Sequence, residues 1–153
     1  MQSPRRKIRV SISDQRLDLL EGEKVVATFP VSTSAFGTGA EPGSFKTPTG
    51  IFCIAEKIGD GAAHGAVFRS RVPTGETGGE ENPEDLIQTR ILWLAGLEPH
   101  NANTRDRYIY IHGTNHESQI GRAASHGCVR MRNADVAELY ELVDKGMEVV
   151  IEN

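Results

Sequence analysis

Alternating apolar and polar residues predict that the chain begins with β-strands. Apolar side chains occupy every second position of 8–12, as in a strand that buries one face. Apolar residues then recur at 17–20 and 25–29, on either side of Glu21-Gly22. Because Gly favours tight turns, this spacing predicts a β-hairpin directly after the first strand.

The same pattern predicts strands farther along the chain and one helix. The strands are expected at 50–55, 91–95, 108–112 and 147–151. In 108–112 a period of two puts both tyrosines on the face of His112, and both isoleucines on the opposite face. A helical period after Asn133 predicts a short helix with that residue as its N-cap and an end at Gly146.

Composition and charge narrow the protein class. The chain has 153 residues, so we expect a single domain over 1–153. Its net charge of −4 argues against nucleic-acid binding through a global positive field. It contains no apolar run of 18 residues, which argues against a membrane span. The basic stretch 1–7 precedes an alternating segment instead of an apolar one, so we see no signal peptide.

Reactive side chains are concentrated between His112 and Arg132. Cys128 is a candidate nucleophile, but a thiol with a pKa of about 8.5 needs a base and positive surroundings to ionise at neutral pH. Either His112 or His126 could be that base, and Arg122 and Arg130 could favour the thiolate. Backbone amides beside Gly127 are candidate oxyanion donors.

Other interpretations of these residues were weighed. Cys53 stands between Phe52 and Ile54, which favours a small buried apolar side chain over a resolving thiol for a redox pair with Cys128. A metal site is disfavoured, because His112 and His116 are four residues apart at a strand end and would not share a face. That site would have used four side chains: His112, His116, His126 and Cys128.

Several motifs together resemble the L,D-transpeptidase catalytic domain family, also called YkuD-like. The resemblance rests on His112-Gly113-Thr114, on the run 125–130 that reads Ser-His-Gly-Cys-Val-Arg, and on Thr47-Pro48-Thr49-Gly50. The strand pattern at 8–19 and Pro30-Val31-Ser32-Thr33 also match, so the resemblance covers nearly the whole chain. It implies a mostly β fold: a β-sandwich or distorted barrel of mixed sheets, with one short helix after the cysteine loop.

The resemblance also implies roles for individual residues. Cys128 would be the nucleophile, His112 its base, and Gly113 the residue whose carbonyl orients that base. His126 would help to shape the acylation pocket. The remaining expected substrate-binding or pocket residues are Thr114, Arg122, Ser125, Gly127 and Arg130.

The implied reaction is acyl transfer between peptidoglycan stem peptides through a thioester, without a metal or organic cofactor. Between 104 and 132 five arginines outnumber two acidic residues, which suits the carboxylates of such a ligand. The family further implies work in the cell envelope or periplasm and acylation by carbapenems. We also expect the segments 59–84 and 93–107 to cover Cys128 and select the acceptor. Two alternatives remain: an L,D-carboxypeptidase that hydrolyses the same thioester, and a non-catalytic peptidoglycan-binding module.

Overall fold

The computed structural model describes residues 5–153. Residues 1–4, which begin the segment without a signal-peptide pattern, lie outside that range. In chain order the strands are β1 Arg6–Ser11, β2 Arg16–Glu21, β3 Lys24–Pro30, β4 Gly50–Ile58, β5 Val67–Arg69, β6 Val72–Pro73, β7 Ile87–Gly96, β8 Tyr110–Gly113, β9 Val129–Met131 and β10 Glu148–Glu152. The α-helix is α1, Asn133–Leu142, and 3₁₀ turns occupy Pro99–Asn101 and Glu117–Gln119.

The strands form one mixed sheet in the order β3-β2-β1-β10-β4-β7-β5-β6, with β8 joined to β7 and β9 to β8. Parallel pairing joins β1 to β10 and β8 to β9, and the other pairs are antiparallel. One buried cluster contains Phe29 from β3, Leu92 from β7 and Leu139 from α1. Since these elements are far apart in the strand order, the sheet wraps around a shared core. The predicted mostly β fold with one helix is confirmed.

The structure corrects three predicted element bounds. The helix has Arg132 as its N-cap and ends at Leu142, because the buried Val143 is already extended. Tyr108 lies before β8, with a φ of +57°, so the strand begins two residues later than the alternation suggested. The segment 59–84 contains the hairpin β5–β6, which pairs with β7 but shows no clear periodicity in the sequence.

Helix length bears on membrane insertion. Within residues 5–153 no helix is long and apolar enough to cross a bilayer, and α1 has only 10 residues.

Candidate active site

Cys128 and His112 are brought together by the parallel pairing of β8 and β9. In this register Ile111 pairs with Val129 and His112 pairs with Arg130. Extending the register by one residue places Cys128 beside Tyr110, on the face that also carries His112. Strand spacing and rise then give about 8 Å between the two Cα atoms, which side chains can bridge.

The Cys128 sulfur lies against the backbone that leads into β8. The Tyr110 N–H donates to Sγ at 3.3 Å, and the thiol lies 3.4 Å from the Tyr108 carbonyl. Burial raises the pKa of the thiol to about 11, despite the opposing effects of the Tyr110 amide and the positive Arg107. Cys128 is therefore a neutral thiol at pH 7 and needs a base before it can act as a nucleophile.

His112 is a buried imidazole with a fixed orientation. It is 2% exposed, and its Nδ1 lies 2.5 Å from the Gly113 carbonyl oxygen. Because a carbonyl can only accept a hydrogen bond, Nδ1 carries the proton and Nε2 keeps its lone pair. Burial also lowers the pKa of His112, so the ring is neutral at pH 7 and able to accept a proton.

Arg130 is an internal brace and not a surface contact. Its side chain is 2% exposed and donates to Asp85 at 3.0 Å, Gln119 at 2.6 Å and Ser32 at 3.3 Å. The second carboxylate oxygen of Asp85 lies 3.6 Å from His126 Nδ1. Asp85 lies in the loop that precedes β7. Through Arg130 it is linked to β9, and through His126 to the loop that carries Cys128.

The cysteine loop is held by its own hydroxyl and by a distant threonine. Ser125 Oγ donates to the Cys128 carbonyl at 2.7 Å and accepts from the Gly127 N–H at 3.3 Å. Thr47 Oγ1 donates to the Gly127 carbonyl at 2.9 Å. The Gly127 amide is thus already engaged in the loop, although it was a candidate oxyanion donor.

Gly127 also has a conformation that favours glycine. Its φ is +124°, and a Cβ added there would lie 3.3 Å from the Lys46 carbonyl oxygen. The 45–47 backbone therefore packs directly against the loop that bears Cys128.

Aromatic rings line the opening beside the thiol. The His126 ring centroid lies 5.9 Å from that of Phe36 and 5.7 Å from that of Phe45, and both phenylalanines are more than half exposed. The adjoining cleft has a volume of about 300 Å³. Its lining comprises Pro42, Gly43, Phe45, Asp106, Arg107, Tyr108, Ile109, His126 and Cys128.

Other residues singled out from the sequence lie away from this cleft. Thr114 is buried, and its hydroxyl accepts from the His116 N–H at 3.1 Å, so it shapes the turn after β8. Arg122 is exposed and is not part of the cleft lining. Cys53 was interpreted as a small buried apolar side chain but is half-buried, because strand alternation turns it away from the buried side of Phe52 and Ile54.

The histidines do not assemble with Cys128 as a metal site. His116 Nε2 bonds to the Asn82 carbonyl oxygen at 2.6 Å, on the 78–84 segment. No group of three metal-ligating side chains occurs within residues 5–153.

Parts of the 59–84 segment differ in their distance from the thiol. Phe68 of β5 belongs to the buried cluster against which Cys128 packs. The later part, 78–84, is held by hydrogen bonds from the Asn115 side-chain amide to the carbonyls of Gly79, Asn82 and Glu84. The hairpin β5–β6 is therefore the part that approaches Cys128.

Asp85 was not singled out from the sequence, whereas Arg107 was expected only as an anchor of the 93–107 segment and as part of the local excess of arginines. Asp85 contacts both Arg130 and His126, and Arg107 lies in the cleft with its guanidinium 2.8 Å from the Lys46 carbonyl oxygen. Both belong to segments without clear periodicity. No sequence pattern pointed towards Asp85.

Comparisons with known proteins agree with this architecture. The YkuD protein of Bacillus licheniformis is 32% identical over 145 residues, which cover 95% of this chain and 64% of the relative. Escherichia coli YcfS is 28% identical over 160 residues, covering 99% of this chain and 45% of the relative. The chain therefore spans less than two thirds of the length of these relatives.

Solved structures share the fold at low sequence identity. An L,D-transpeptidase from Xylanimonas cellulosilytica superposes with a TM-score of 0.63 at 21% identity, covering 99% of this chain and 62% of that one. L,D-transpeptidase 3 from Mycobacterium tuberculosis, in complex with a faropenem-derived adduct, gives a TM-score of 0.61 at 17% identity, covering 98% and 61%. The family model described as the L,D-transpeptidase catalytic domain, YkuD, matches residues 5–151. This chain belongs to the L,D-transpeptidase catalytic domain family.

Proposed function

We propose that this protein joins peptidoglycan stem peptides through a thioester on Cys128. The observation that carries the proposal is that the register of β8 and β9 puts a buried, neutral His112 on the same face as Cys128, the residue before β9. The Nδ1 contact to Gly113 leaves Nε2 as the proton acceptor. These two side chains supply a nucleophile and a base, and family membership supports this reaction class.

In the first step the Cys128 thiol gives its proton to His112 Nε2, and sulfur attacks the carbonyl of the third stem residue. The tetrahedral intermediate collapses to a thioester as the bond to the terminal D-alanine breaks, and His112 returns the proton to the departing amine. In the second step the side-chain amine of another stem attacks the thioester. His112 takes the amine's proton, the new amide forms, and sulfur leaves and is reprotonated.

The surroundings assign different tasks to the remaining residues. Arg130 and Ser125 hold the loop, since both are buried and engaged with the protein's own groups. His126 is exposed at the cleft beside Phe36 and Phe45, where it would contact the substrate. The Arg107 cation lowers the pKa of the Cys128 thiol and so favours the attacking thiolate.

Further proposals follow from family membership. Carbapenems would acylate Cys128, because one solved family structure is a complex with the carbapenem imipenem and another holds an adduct derived from the penem faropenem. The substrate class implies work in the cell envelope. The match over 5–151 supports a single catalytic domain in this chain. Water in place of the acceptor amine would make the protein an L,D-carboxypeptidase instead.

The decisive test is incubation with purified muropeptides followed by mass spectrometry. We expect a cross-linked dimer that has lost one D-alanine, with no product from folded Cys128→Ala and normal product from Cys53→Ala. Trimmed monomer alone would assign carboxypeptidase activity. Binding without any product would support a non-catalytic module, and turnover by Cys128→Ala would overturn the assigned nucleophile.

A further inference from the structure

The hairpin β5–β6 presents an arginine at its tip. Ser70 and Arg71 join the two strands with φ values of +48° and +65°. Positive φ at both central residues is typical of a type I′ turn, where Asn and Gly are the usual residues. Neither position holds such a residue, so the turn keeps Arg71 in a conformation that most side chains avoid.

The Arg71 guanidinium lies over aromatic rings. Its central carbon is 4.7 Å from the Trp93 ring centroid and 5.2 Å from that of Tyr108. Nη1 donates to the Tyr110 hydroxyl at 3.0 Å. This bond uses one of five N–H donors and leaves others available to a ligand.

Charge pairing distinguishes Arg71 from its neighbours. Arg105 also stacks on Trp93, at 4.8 Å, but is paired with Glu56 at 3.1 Å. Arg69, on the same hairpin, binds Glu84 with two contacts of 2.9 and 3.2 Å. Within residues 5–153 no carboxylate forms an ion pair with Arg71.

Tyr108 and Tyr110, whose side chains contact the Arg71 guanidinium, also contact the thiol through their backbones. Tyr110 offers its N–H to Cys128 Sγ at 3.3 Å, and the Tyr108 carbonyl lies 3.4 Å from the same atom. Trp93 and Cys128 both pack against the buried cluster that contains Tyr110. A peptide whose carbonyl reaches Sγ would therefore run close to the rings on which Arg71 is stacked. Guanidinium groups bind carboxylates through two parallel hydrogen bonds. Stacking on aromatic rings holds the planar guanidinium in one orientation before a ligand arrives.

We propose that Arg71 is a specificity residue that binds a carboxylate of the stem peptide while the peptide acylates Cys128. This inference rests on the proposed function. A stem tetrapeptide carries carboxylates at its terminal D-alanine and, in some cell walls, on its diamino acid. In both cases the group that Arg71 would bind is a carboxylate within reach of the hairpin tip. Substrates amidated at the D-alanine or at the diamino acid show which of the two carboxylates is bound.

The test compares Arg71→Gln, Arg71→Lys and wild type on the free tetrapeptide and on the two amidated forms. We expect Arg71→Gln to lower kcat/KM for the free tetrapeptide about tenfold, mainly through KM, because a charge-assisted hydrogen bond is lost. For one of the amidated substrates, the kcat/KM of the wild type should already be about tenfold lower than for the free tetrapeptide. Arg71→Gln should not lower it further on that substrate. Arg71→Lys should recover part of the activity, since it keeps the charge without the planar fork.

Arg69→Gln is the matched control, because it removes the same charge from the same hairpin but from a residue already paired with Glu84. It should leave kcat/KM unchanged. Equal losses by Arg71→Gln on all three substrates would overturn the proposal and leave Arg71 as a structural contact of the hairpin. No acylation of any stem by wild type, with Cys128 still alkylated by iodoacetamide, would overturn the proposed function and this inference with it.

Discussion

Asp85 accepts a hydrogen bond of 3.0 Å from the buried guanidinium of Arg130. This pair connects the loop that precedes β7 with β9, the strand that follows Cys128. Arg130 is also the register partner of His112. A buried guanidinium without a counter-charge would be costly, and it would oppose protonation of the neighbouring imidazole. The carboxylate of Asp85 therefore stabilises the loop and balances the positive charge beside His112, the proposed base.

Asp85→Asn should lower the free energy of unfolding by about 2 kcal/mol at pH 7, because it leaves Arg130 without a counter-charge. Burial opposes ionisation of Asp85, but His112, once protonated at acid pH, and the Arg130 cation with its hydrogen bond outweigh it, so the pKa of Asp85 lies below the usual range. The stabilisation is therefore complete above the unfolded pKa of about 4 and disappears as pH falls through the folded value. Urea unfolding of both proteins between pH 7 and pH 2 measures the difference.

Asp14→Asn is the control, because Asp14 is more than half exposed and pairs with Arg16 at 3.6 Å. It should change stability by less than about 0.5 kcal/mol. A difference between wild type and Asp85→Asn that persists undiminished to pH 2 would contradict the assigned ion pair.

His112→Ala should shift the alkylation of Cys128 by iodoacetamide to higher pH. Burial raises the pKa of the thiol to about 11, so at neutral pH the thiol needs His112 to take its proton as it attacks. Without that base, alkylation depends on thiolate formed by solvent hydroxide, which becomes abundant only at higher pH. His126→Ala should leave the pH profile in place, since His126 lies exposed at the rim. The measurement is the alkylation rate against pH by intact-protein mass spectrometry, and a shift in His126→Ala alone would exchange the two roles.

Thr47→Val should loosen the cysteine loop. The Thr47 hydroxyl donates to the Gly127 carbonyl at 2.9 Å and accepts from the Ser34 N–H at 3.0 Å, and both bonds are buried. We expect a loss of about 2 kcal/mol in stability and slower acylation by a carbapenem. Thr49→Val is the control, because the hydrogen bonds that Thr49 makes within residues 5–153 use its backbone carbonyl. Equal effects of the two substitutions would contradict a role of the Thr47 hydroxyl in holding the cysteine loop.

Cys53→Ala should cost less than about 1 kcal/mol, because the side chain is half-buried and faces away from the main core. It should retain full carbapenem acylation, whereas Cys128→Ala should lose it completely. Thermal unfolding and adduct mass check the two variants together. An adduct that remains on Cys128→Ala and disappears on Cys53→Ala would reverse the assignment of the nucleophile.

Local patterns in the sequence predicted the elements that local forces dominate. The strand at 8–12, the hairpin around Gly22 and the helix beginning near Asn133 follow from alternation, turn preference and helical period. The Ser-His-Gly-Cys run and the His-Gly pair likewise indicated the family, which the comparisons confirm. The helix end was placed too late, because Gly146 looked like a cap while Val143 is held extended in the core.

Tertiary structure decided the surroundings of the thiol, because they depend on contacts between distant parts of the chain. Thr47 reaches Gly127 across 80 positions, and Asp85 reaches Arg130 across 45. The hairpin that carries Arg71 owes its place to pairing with β7 and not to any periodicity of its own. The sequence alone indicated which side chains are candidates for the chemistry. Only the folded sheet decided which of them meet, because strand register and burial set their distances, charges and pKa values.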